Sequence, residues 1–392
     1  MGLLEDTRGI LADLIGFETI SYRSNLDMMA YVGDLLSAVG AQLSMTLDES
    51  GQKANIFATL GGEGNGGIVL SGHSDVVPVD GQDWLSDPFT LEERDERLYG
   101  RGTCDMKGFI ACCLAMAPRY AELDLKRPVH FAFTYDEEVG CFGGRALIDE
   151  LKRLEVRPSA AIIGEPTEMR IIEGHKGCYE YTTEFHGLSG HASLPQHGVN
   201  AVQYAVQYVS RLMAIGQALA EAPTGSSRFD PPYTTIQVGS IAGGVARNVI
   251  AQHCWLEWEM RPVRQSDADF VRNDIATYVN DVLLPDMCRI SPDARILTHV
   301  VGEVDGLEPV ADSEALRIVS ELTGSNSTEV VSFSTEAGLF QKAGISAVVC
   351  GPGSIGEAHK PDEFVSLDQL GQCLSMLERL GPKLEREAPR AD

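Results

Sequence analysis

The sequence of 392 residues lacks several features that mark large classes of protein. It has no run of eighteen or more uncharged apolar residues, so a membrane-spanning helix is not expected. Its first residues, Met1–Asp6, lack the basic region and the apolar core of a secretory signal. Both absences argue against secretion and membrane insertion.

Closely spaced cysteines and positive charge are also scarce. The nine cysteines are scattered without a C-x-x-C pair, which is typical of buried thiols in a reducing compartment. The 31 lysines and arginines face 57 acidic residues, which leaves a formal net charge of −26. Such a negative field repels nucleic acid and anionic membranes. We therefore expect a cytoplasmic protein that binds neither of them.

Apolar segments with helical spacing and with strand spacing alternate up to residue 174 and again from about residue 296. This alternation predicts an α/β domain with a doubly wound sheet. In between, the order strand, helix, strand, strand predicts an inserted α+β unit with an antiparallel sheet. We expect a larger domain in two parts, 1–174 and 291–392, and an inserted domain over 175–290.

Histidines and acidic residues follow several of the apolar strands. Because the active sites of open α/β sheets gather at the carboxyl ends of the strands, we expect these side chains to meet. A single acid at a strand end is most often a helix cap or turn former, but five such loops together favour a metal site. Mixed imidazole and carboxylate ligands suit zinc, and also cobalt or manganese. The residues are His73 and Asp75, Asp105, Asp136–Glu138, Glu165 and His359.

Six sequence blocks resemble those of the M20 metallopeptidase family, in the same order and over nearly the whole chain. The resemblance implies an α/β fold, with a mixed-sheet, zinc-peptidase-like catalytic domain and an inserted α+β, ferredoxin-like domain for dimerisation and lid closure. The blocks are His73–Pro78, Trp84–Phe89, Tyr99–Gly108, Asp136–Gly140, Gly164–Thr167 and Gly351–Glu363.

The family resemblance implies two zinc ions per subunit, for which cobalt can substitute. Asp105 matches the carboxylate that bridges the two ions. We expect His73 and Glu138 to complete the protein ligands of one ion. We expect Glu165 and His359 to complete those of the other.

The resemblance assigns the neighbouring residues to catalysis and support. Glu137 is expected to be the general base that takes a proton from water. The Asp75 carboxylate is expected to orient the imidazole of His73 through its second nitrogen. Met106 follows the bridging acid where the family has a non-proline cis peptide bond.

Three residues of the inserted domain match family positions near the substrate. His191 matches a donor to the tetrahedral oxyanion that reaches the active site of the partner subunit, so we expect a homodimer. Arg261 matches the position that binds the substrate's α-carboxylate, a task suited to a planar guanidinium. Asn248 matches a further position near the substrate. Without the resemblance, each would be interpreted as an exposed polar residue.

Within the family, the greatest likeness is to enzymes that remove the acetyl group from N-acetyl-L-ornithine. Succinyl-diaminopimelate desuccinylases carry an arginine where this chain has Leu339. We hypothesise that Thr335 and Glu336 lie at the substrate, with Glu336 near the δ-ammonium of acetylornithine. A desuccinylase, a broad N-acyl-amino-acid deacylase and a carboxypeptidase remain alternatives. A non-catalytic binder is disfavoured, since every ligand and the base are present.

Overall fold

The computed structural model describes residues 2–62, 65–222 and 227–386, which form two compact units. The larger unit comprises Met1–Gly174, Pro309–Val330 and Thr335–Asp392, and the smaller one comprises His175–Glu308 and Val331–Ser334. The strands are β1 (Gln42–Leu47), β2 (Ala54–Leu60), β3 (Ile68–His73), β4 (Glu92–Arg94), β5 (Arg97–Tyr99), β6 (Val129–Thr134), β7 (Ala160–Pro166), β8 (Ile171–His175), β9 (Cys178–His186), β10 (Thr235–Gly243), β11 (His253–Arg261), β12 (Arg295–Val304), β13 (Thr328–Val331), β14 (Ser346–Gly351) and β15 (Phe364–Ser366). The helices are α1 (Leu3–Gly16), α2 (Leu26–Ala38), α3 (Gly108–Ala121), α4 (Phe142–Arg153), α5 (Ala201–Glu221), α6 (Gln265–Tyr278), α7 (Leu284–Ile290), α8 (Glu314–Thr323), α9 (Ala337–Lys342) and α10 (Leu367–Leu384).

The larger unit is built on an eight-stranded mixed sheet with the order β1-β2-β6-β3-β7-β14-β8-β13. At its centre β3 pairs in parallel with β6 and β7, and β7 pairs in parallel with β14. Strands β3, β6 and β7 are buried along their whole length, as expected of parallel strands covered on both faces. The predicted α/β mixed-sheet fold is therefore confirmed.

One apolar core holds this sheet and its helices together. Helix α3 is buried from Gly108 to Ala117 because apolar side chains occupy most of its circumference. Fully burying a Leu or Phe side chain stabilises the fold by roughly 1.5–3 kcal/mol. Phe109 of α3 and Phe131 and Phe133 of β6 belong to this core. Their packing fixes the strand ends that carry the candidate ligands.

A second, three-stranded sheet has the order β15-β5-β4. Strand β15 pairs antiparallel with β5, with Phe364 opposite Tyr99. This pairing places Glu363, the residue before β15, beside the segment that follows β5. The backbone N–H of Gly100 donates to the Glu363 carbonyl at 3.0 Å. The small sheet therefore brings two distant motif blocks together.

The smaller unit contains a four-stranded antiparallel sheet with the order β10-β11-β9-β12. Its chain order, β9-α5-β10-β11-α6-β12, is that of a ferredoxin-like βαββαβ unit. Burial alternates strictly along β9, so Tyr179, Tyr181 and Phe185 enter the core while Cys178 and Glu180 face away from it. The predicted α+β, ferredoxin-like character is confirmed.

The inserted unit extends further along the chain than residue 290, the end predicted from the sequence. Strand β12 pairs with β9 from Arg295 opposite His186 to Val304 opposite Cys178. The βαββαβ arrangement needs this fourth strand, so the smaller unit continues to Glu308.

Among the described residues, no helix has both the length and the apolar composition needed to cross a membrane.

Candidate metal centre

Three parallel strands deliver candidate ligands to one edge of the large sheet. His73 is the last residue of β3, Glu165 is the penultimate residue of β7, and Glu138 follows shortly after β6. Asp105 lies in the segment Thr103–Lys107 just before α3, where its own backbone is not helical. Its peptide bond to Met106 is cis, which confirms the geometry implied by the family resemblance.

His73, Asp105 and Glu165 form a buried group, here named the buried position. Nε2 of His73 lies 2.9 Å from Asp105 Oδ1 and 3.8 Å from Glu165 Oε1. In the part of the chain that the structure describes, Glu165 Oε1 is buried without a hydrogen-bond partner. An unpaired buried carboxylate oxygen is costly and rare. This donor set therefore fits a divalent cation, which would satisfy that oxygen.

Asp105, Glu138 and His359 form a second group, here named the exposed position. Nε2 of His359 lies 3.0 Å from Glu138 Oε1 and 3.5 Å from Asp105 Oδ2. The His359 side chain is 51% exposed, in contrast to the buried His73. Asp105 thus presents one carboxylate oxygen to each group, as a carboxylate shared by two cations would.

The structure divides the five ligands differently from the expectation. From the family resemblance we expect His73 to share one ion with Glu138, and His359 to share the other with Glu165. In the structure His73 meets Glu165, and His359 meets Glu138. Strand β7 lies directly beside β3, so Glu165 reaches His73, whereas Glu138 lies beyond the end of β6 and meets the loop that carries His359. The set of ligands is unchanged, but its division is corrected.

Asp75 supports His73 mainly through its main chain. Nδ1 of His73 lies 2.9 Å from the Asp75 carbonyl oxygen, whereas the carboxylate is 3.6 Å away. A carbonyl can only accept, so Nδ1 carries the proton and Nε2 keeps its lone pair for a metal. The Asp75 carboxylate accepts hydrogen bonds from the backbone N–H groups of Glu137 and Glu138 and from the Ser21 hydroxyl. The carboxylate also faces the same nitrogen of the imidazole, so its expected orienting role remains a prediction.

Glu137 is next to a ligand in the chain, yet it belongs to neither ligand group of the described residues. Burial raises the pKa of Glu137 well above its usual range, and the negative charges of Glu138 and Glu336 raise it further, although His73 opposes them. A carboxyl group with a raised pKa can accept and hold a proton near neutral pH. This environment suits the role of general base predicted for Glu137.

The segment Thr335–Glu336 lies in the larger unit, next to the last residue of β6. Glu336 is 1% exposed, and its Oε1 accepts a hydrogen bond from the Thr134 hydroxyl at 2.7 Å. Burial raises the pKa of Glu336 to about 7. A Cβ at Gly144 would lie 2.7 Å from this oxygen, so the glycine makes room for the carboxyl group. The Thr335 hydroxyl accepts from the Ala337 N–H at the start of α9.

His191, Asn248 and Arg261 lie in the smaller unit. His191 is exposed, and the segment that follows it donates a hydrogen bond to the Asn248 carbonyl at 3.1 Å. Arg261, the last residue of β11, donates through Nε and Nη2 to both carboxylate oxygens of Glu259, at 3.0 Å each. The structure thus brings His191 and Asn248 together and gives Arg261 an acidic partner. Their roles toward a substrate remain predictions.

Glu363 supports the centre, a role that was not predicted from the sequence. Its Oε1 accepts hydrogen bonds from the backbone N–H groups of Gly102, Cys104 and Asp105 at 2.9–3.0 Å. These bonds fix the turn that carries the shared carboxylate. The only signal in the sequence was the position of Glu363 at the end of the block Gly351–Glu363.

Comparisons with known proteins find relatives over most of the chain. Residues 69–381 match the model of peptidase family M20/M25/M40. The chain is 36% identical over 377 residues to an acetylornithine deacetylase of Myxococcus xanthus, covering 95% of this chain and 96% of that protein. It is 34% identical over 344 residues to an acetylornithine deacetylase of Shigella sonnei, covering 88% and 87%.

Solved structures show the same fold at low sequence identity. Aminopeptidase PepT from Bacillus cereus superposes with a TM-score of 0.75 at 16% identity, covering 98% of this chain and all of that chain. An M20 family metallo-carboxypeptidase from Sulfolobus solfataricus gives 0.74 at 18% identity, covering 97% and 99%. With the family match and the ligand set, these findings show that the chain belongs to the M20/M25/M40 peptidase family and is a hydrolase of that family.

Proposed function

We propose that this hydrolase removes the acetyl group from N-acetyl-L-ornithine, giving L-ornithine and acetate, with two zinc ions per chain. The observation that carries the proposal is Asp105, whose two oxygens face different histidines, each of which is grouped with its own glutamate. Curated relatives with 34–36% identity over most of the chain are named for this reaction. Cobalt would suit the same ligands.

The proposed chemistry divides between the ions and the protein. Bound divalent ions would polarise the amide carbonyl and lower the pKa of a water molecule. Glu137 accepts a proton from the attacking water as the C–O bond forms, and it delivers that proton to the amine nitrogen as the tetrahedral intermediate collapses and the C–N bond breaks. Asp75 holds the backbone of Glu137 and thereby keeps its carboxylate beside the centre.

In this proposal the smaller unit contributes the remaining groups. His191 donates a hydrogen bond to the oxyanion of the tetrahedral intermediate, and it does so in the active site of the partner subunit. Arg261 binds the α-carboxylate of the substrate in place of Glu259, because its planar fork matches both carboxylates. Asn248, held next to the His191 segment, lies near the bound substrate.

We propose a homodimer because His191 acts across subunits. Strand β10 is an edge strand of the smaller unit's sheet, and such edges pair readily with another chain. Helix α5 exposes Val206 by 52% and Met213 by 69%, which suits an apolar interface. Sedimentation equilibrium at micromolar concentration should give twice the mass of the chain.

All nine cysteines are free, which supports the proposed cytoplasmic location.

A panel of N-acyl amino acids tests the substrate. We expect kcat/KM to be highest for N-acetyl-L-ornithine, above N-acetyl-L-methionine, succinyl-diaminopimelate and a dipeptide. A preference for the succinyl compound or the dipeptide would replace the proposal with a desuccinylase or a peptidase. Loss of turnover with a chelator and recovery with zinc would separate an enzyme from a binding protein.

The same panel examines Glu336. If this carboxylate lies near the δ-ammonium of the substrate, Glu336→Gln should lower the preference for acetylornithine over acetylmethionine. The carboxylate has acceptor sites left beside the hydrogen bond from Thr134, so it can also accept from the ammonium. An unchanged ratio of kcat/KM between the two substrates would leave Glu336 with a purely supporting role behind β6.

A further inference from the structure

Two side chains from outside the metal centre hold the backbone of the segment that carries His359. Nε2 of Gln82 donates to the His359 carbonyl at 3.0 Å, and Nη1 of Arg101 donates to the Lys360 carbonyl at 3.3 Å. Both contacts are made to main-chain oxygens, so the imidazole remains available to a metal. We call Gln82 and Arg101 the clamp.

The clamp is itself firmly oriented. Arg101 is 1% exposed and donates to Glu363 Oε2 at 2.7 Å and to Gln82 Oε1 at 2.6 Å. Trp84 Nε1 also donates to Gln82 Oε1 at 3.1 Å, and its ring lies 5.0 Å from the guanidinium. Because two N–H donors point at one end of the Gln82 amide, that end must be the oxygen. The NH2 group is therefore directed at the His359 carbonyl.

The clamp acts on one metal position more than on the other. Two ligands of the buried position, His73 and Glu165, lie within strands β3 and β7, whose paired backbones hold them. His359 lies between β14 and β15 in a loop with a positive φ of 63°. Its half-exposed side chain gains little from packing, so its placement depends on contacts to its backbone.

We propose that Gln82 and Arg101 are positioning residues that set the affinity of the exposed position for its divalent ion. The clamp holds the His359 backbone where the imidazole meets Asp105 and Glu138. Without the clamp, the loop must be ordered at the moment the ion binds, which weakens binding. This inference rests on the proposed dinuclear centre, and it assigns no contact between the clamp and the substrate.

Stepwise zinc titration of the chelator-treated full-length protein tests the inference. Gln82→Glu keeps an oxygen for Arg101 but replaces the NH2 donor with a second oxygen facing the His359 carbonyl. Gln82→Met removes both polar ends without adding charge. We expect each variant to bind the ion of the exposed position, the more weakly bound of the two, about 10- to 100-fold less tightly. The affinity for the more tightly bound ion, that of the buried position, should not change. Gln52→Glu, which adds the same charge in an exposed turn, should behave as wild type.

The direction of the effect separates positioning from simple electrostatics. An added carboxylate near a cation would by itself strengthen zinc binding, so weaker binding by Gln82→Glu reports the lost hydrogen bond. Circular dichroism establishes that each variant is folded, and either variant alone suffices for the test. Unchanged affinity for both ions, or equal weakening of both, would overturn the inference. A wild-type protein that binds fewer than two ions would instead overturn the proposed dinuclear function, and the inference with it.

Discussion

The buried position and the exposed position share Asp105 but are built in different ways. In the buried position, strands β3 and β7 supply His73 and Glu165, and both side chains are almost fully enclosed. In the exposed position, Glu138 follows the end of a strand, and His359 comes from a loop and is half-exposed. One carboxylate therefore joins a rigid half-site to a half-site that depends on loop contacts.

Metal affinity in such a centre depends on how well the ligands are ordered before the ion binds. Ligands on paired strands are ordered before the ion arrives, so binding costs little conformational entropy. A ligand on a loop needs support from neighbouring side chains to reach the same state. We therefore expect the buried position to bind its ion more tightly than the exposed position.

The largest effect should come from removing the shared carboxylate. Asp105→Ala should reduce bound zinc from two ions per chain to fewer than one and abolish turnover, because both positions lose a ligand. Metal analysis by mass spectrometry after desalting measures this content. Asp312→Ala, at an exposed aspartate, is the matched control. Retention of two ions by Asp105→Ala would refute the shared arrangement.

Glu137→Gln should separate the base from the ligands. We expect kcat to fall about 10²- to 10⁴-fold while both zinc ions remain bound, because a general base contributes an effect of that size. Steady-state kinetics and metal analysis on one sample provide both numbers. Loss of an ion would mean that Glu137 is a metal ligand and that Glu138 is the general base.

Single histidine substitutions should resolve the two positions. His73→Ala should remove the tighter zinc-binding step, and His359→Ala the weaker one, each leaving one ion per chain. Calorimetric titration distinguishes the two steps by their affinities. The reverse assignment would show that strand-borne ligands do not give the tighter position.

A smaller effect is expected from pH. Hydrogen bonds to Asp105 and Glu138 raise the pKa of His359 to about 10. Below that pH the imidazole is protonated without metal, so an ion must displace a proton, and its affinity should rise about tenfold per pH unit. Titrations at pH 6.5, 7.5 and 8.5 measure the slope at the exposed position. Affinity independent of pH over this range would contradict the expected proton release.

The two regions also differ in how far the sequence could predict them. Four of the five ligands lie at or after the ends of strands β3, β6, β7 and β14, and parallel strands end at one edge, so their convergence could be anticipated. Their division into two groups could not, because it depends on whether Glu165 or Glu138 lies nearer to His73 across the sheet. The same limit applies to Asp75, since motif spacing does not show whether a carboxylate or a carbonyl meets the imidazole.

The remaining gaps concern contacts between distant parts of the chain. Strand β12 has an irregular burial pattern, so only its pairing with β9 shows that it belongs to the smaller unit. Glu363 and Gln82 act through backbone atoms of other segments, and such contacts leave no residue-type pattern in the sequence. Both residues are recognised as supports only when the loops are seen side by side.

We infer that the Asp105 carboxylate joins two metal positions of unequal rigidity. Zinc titration of the chelator-treated wild-type protein, followed by calorimetry with hydrolysis of N-acetyl-L-ornithine measured at each step, tests it most directly. We predict two binding steps per chain, the tighter one first, with full activity only after the second. A single step with one ion per chain, or full activity without any ion, would contradict it.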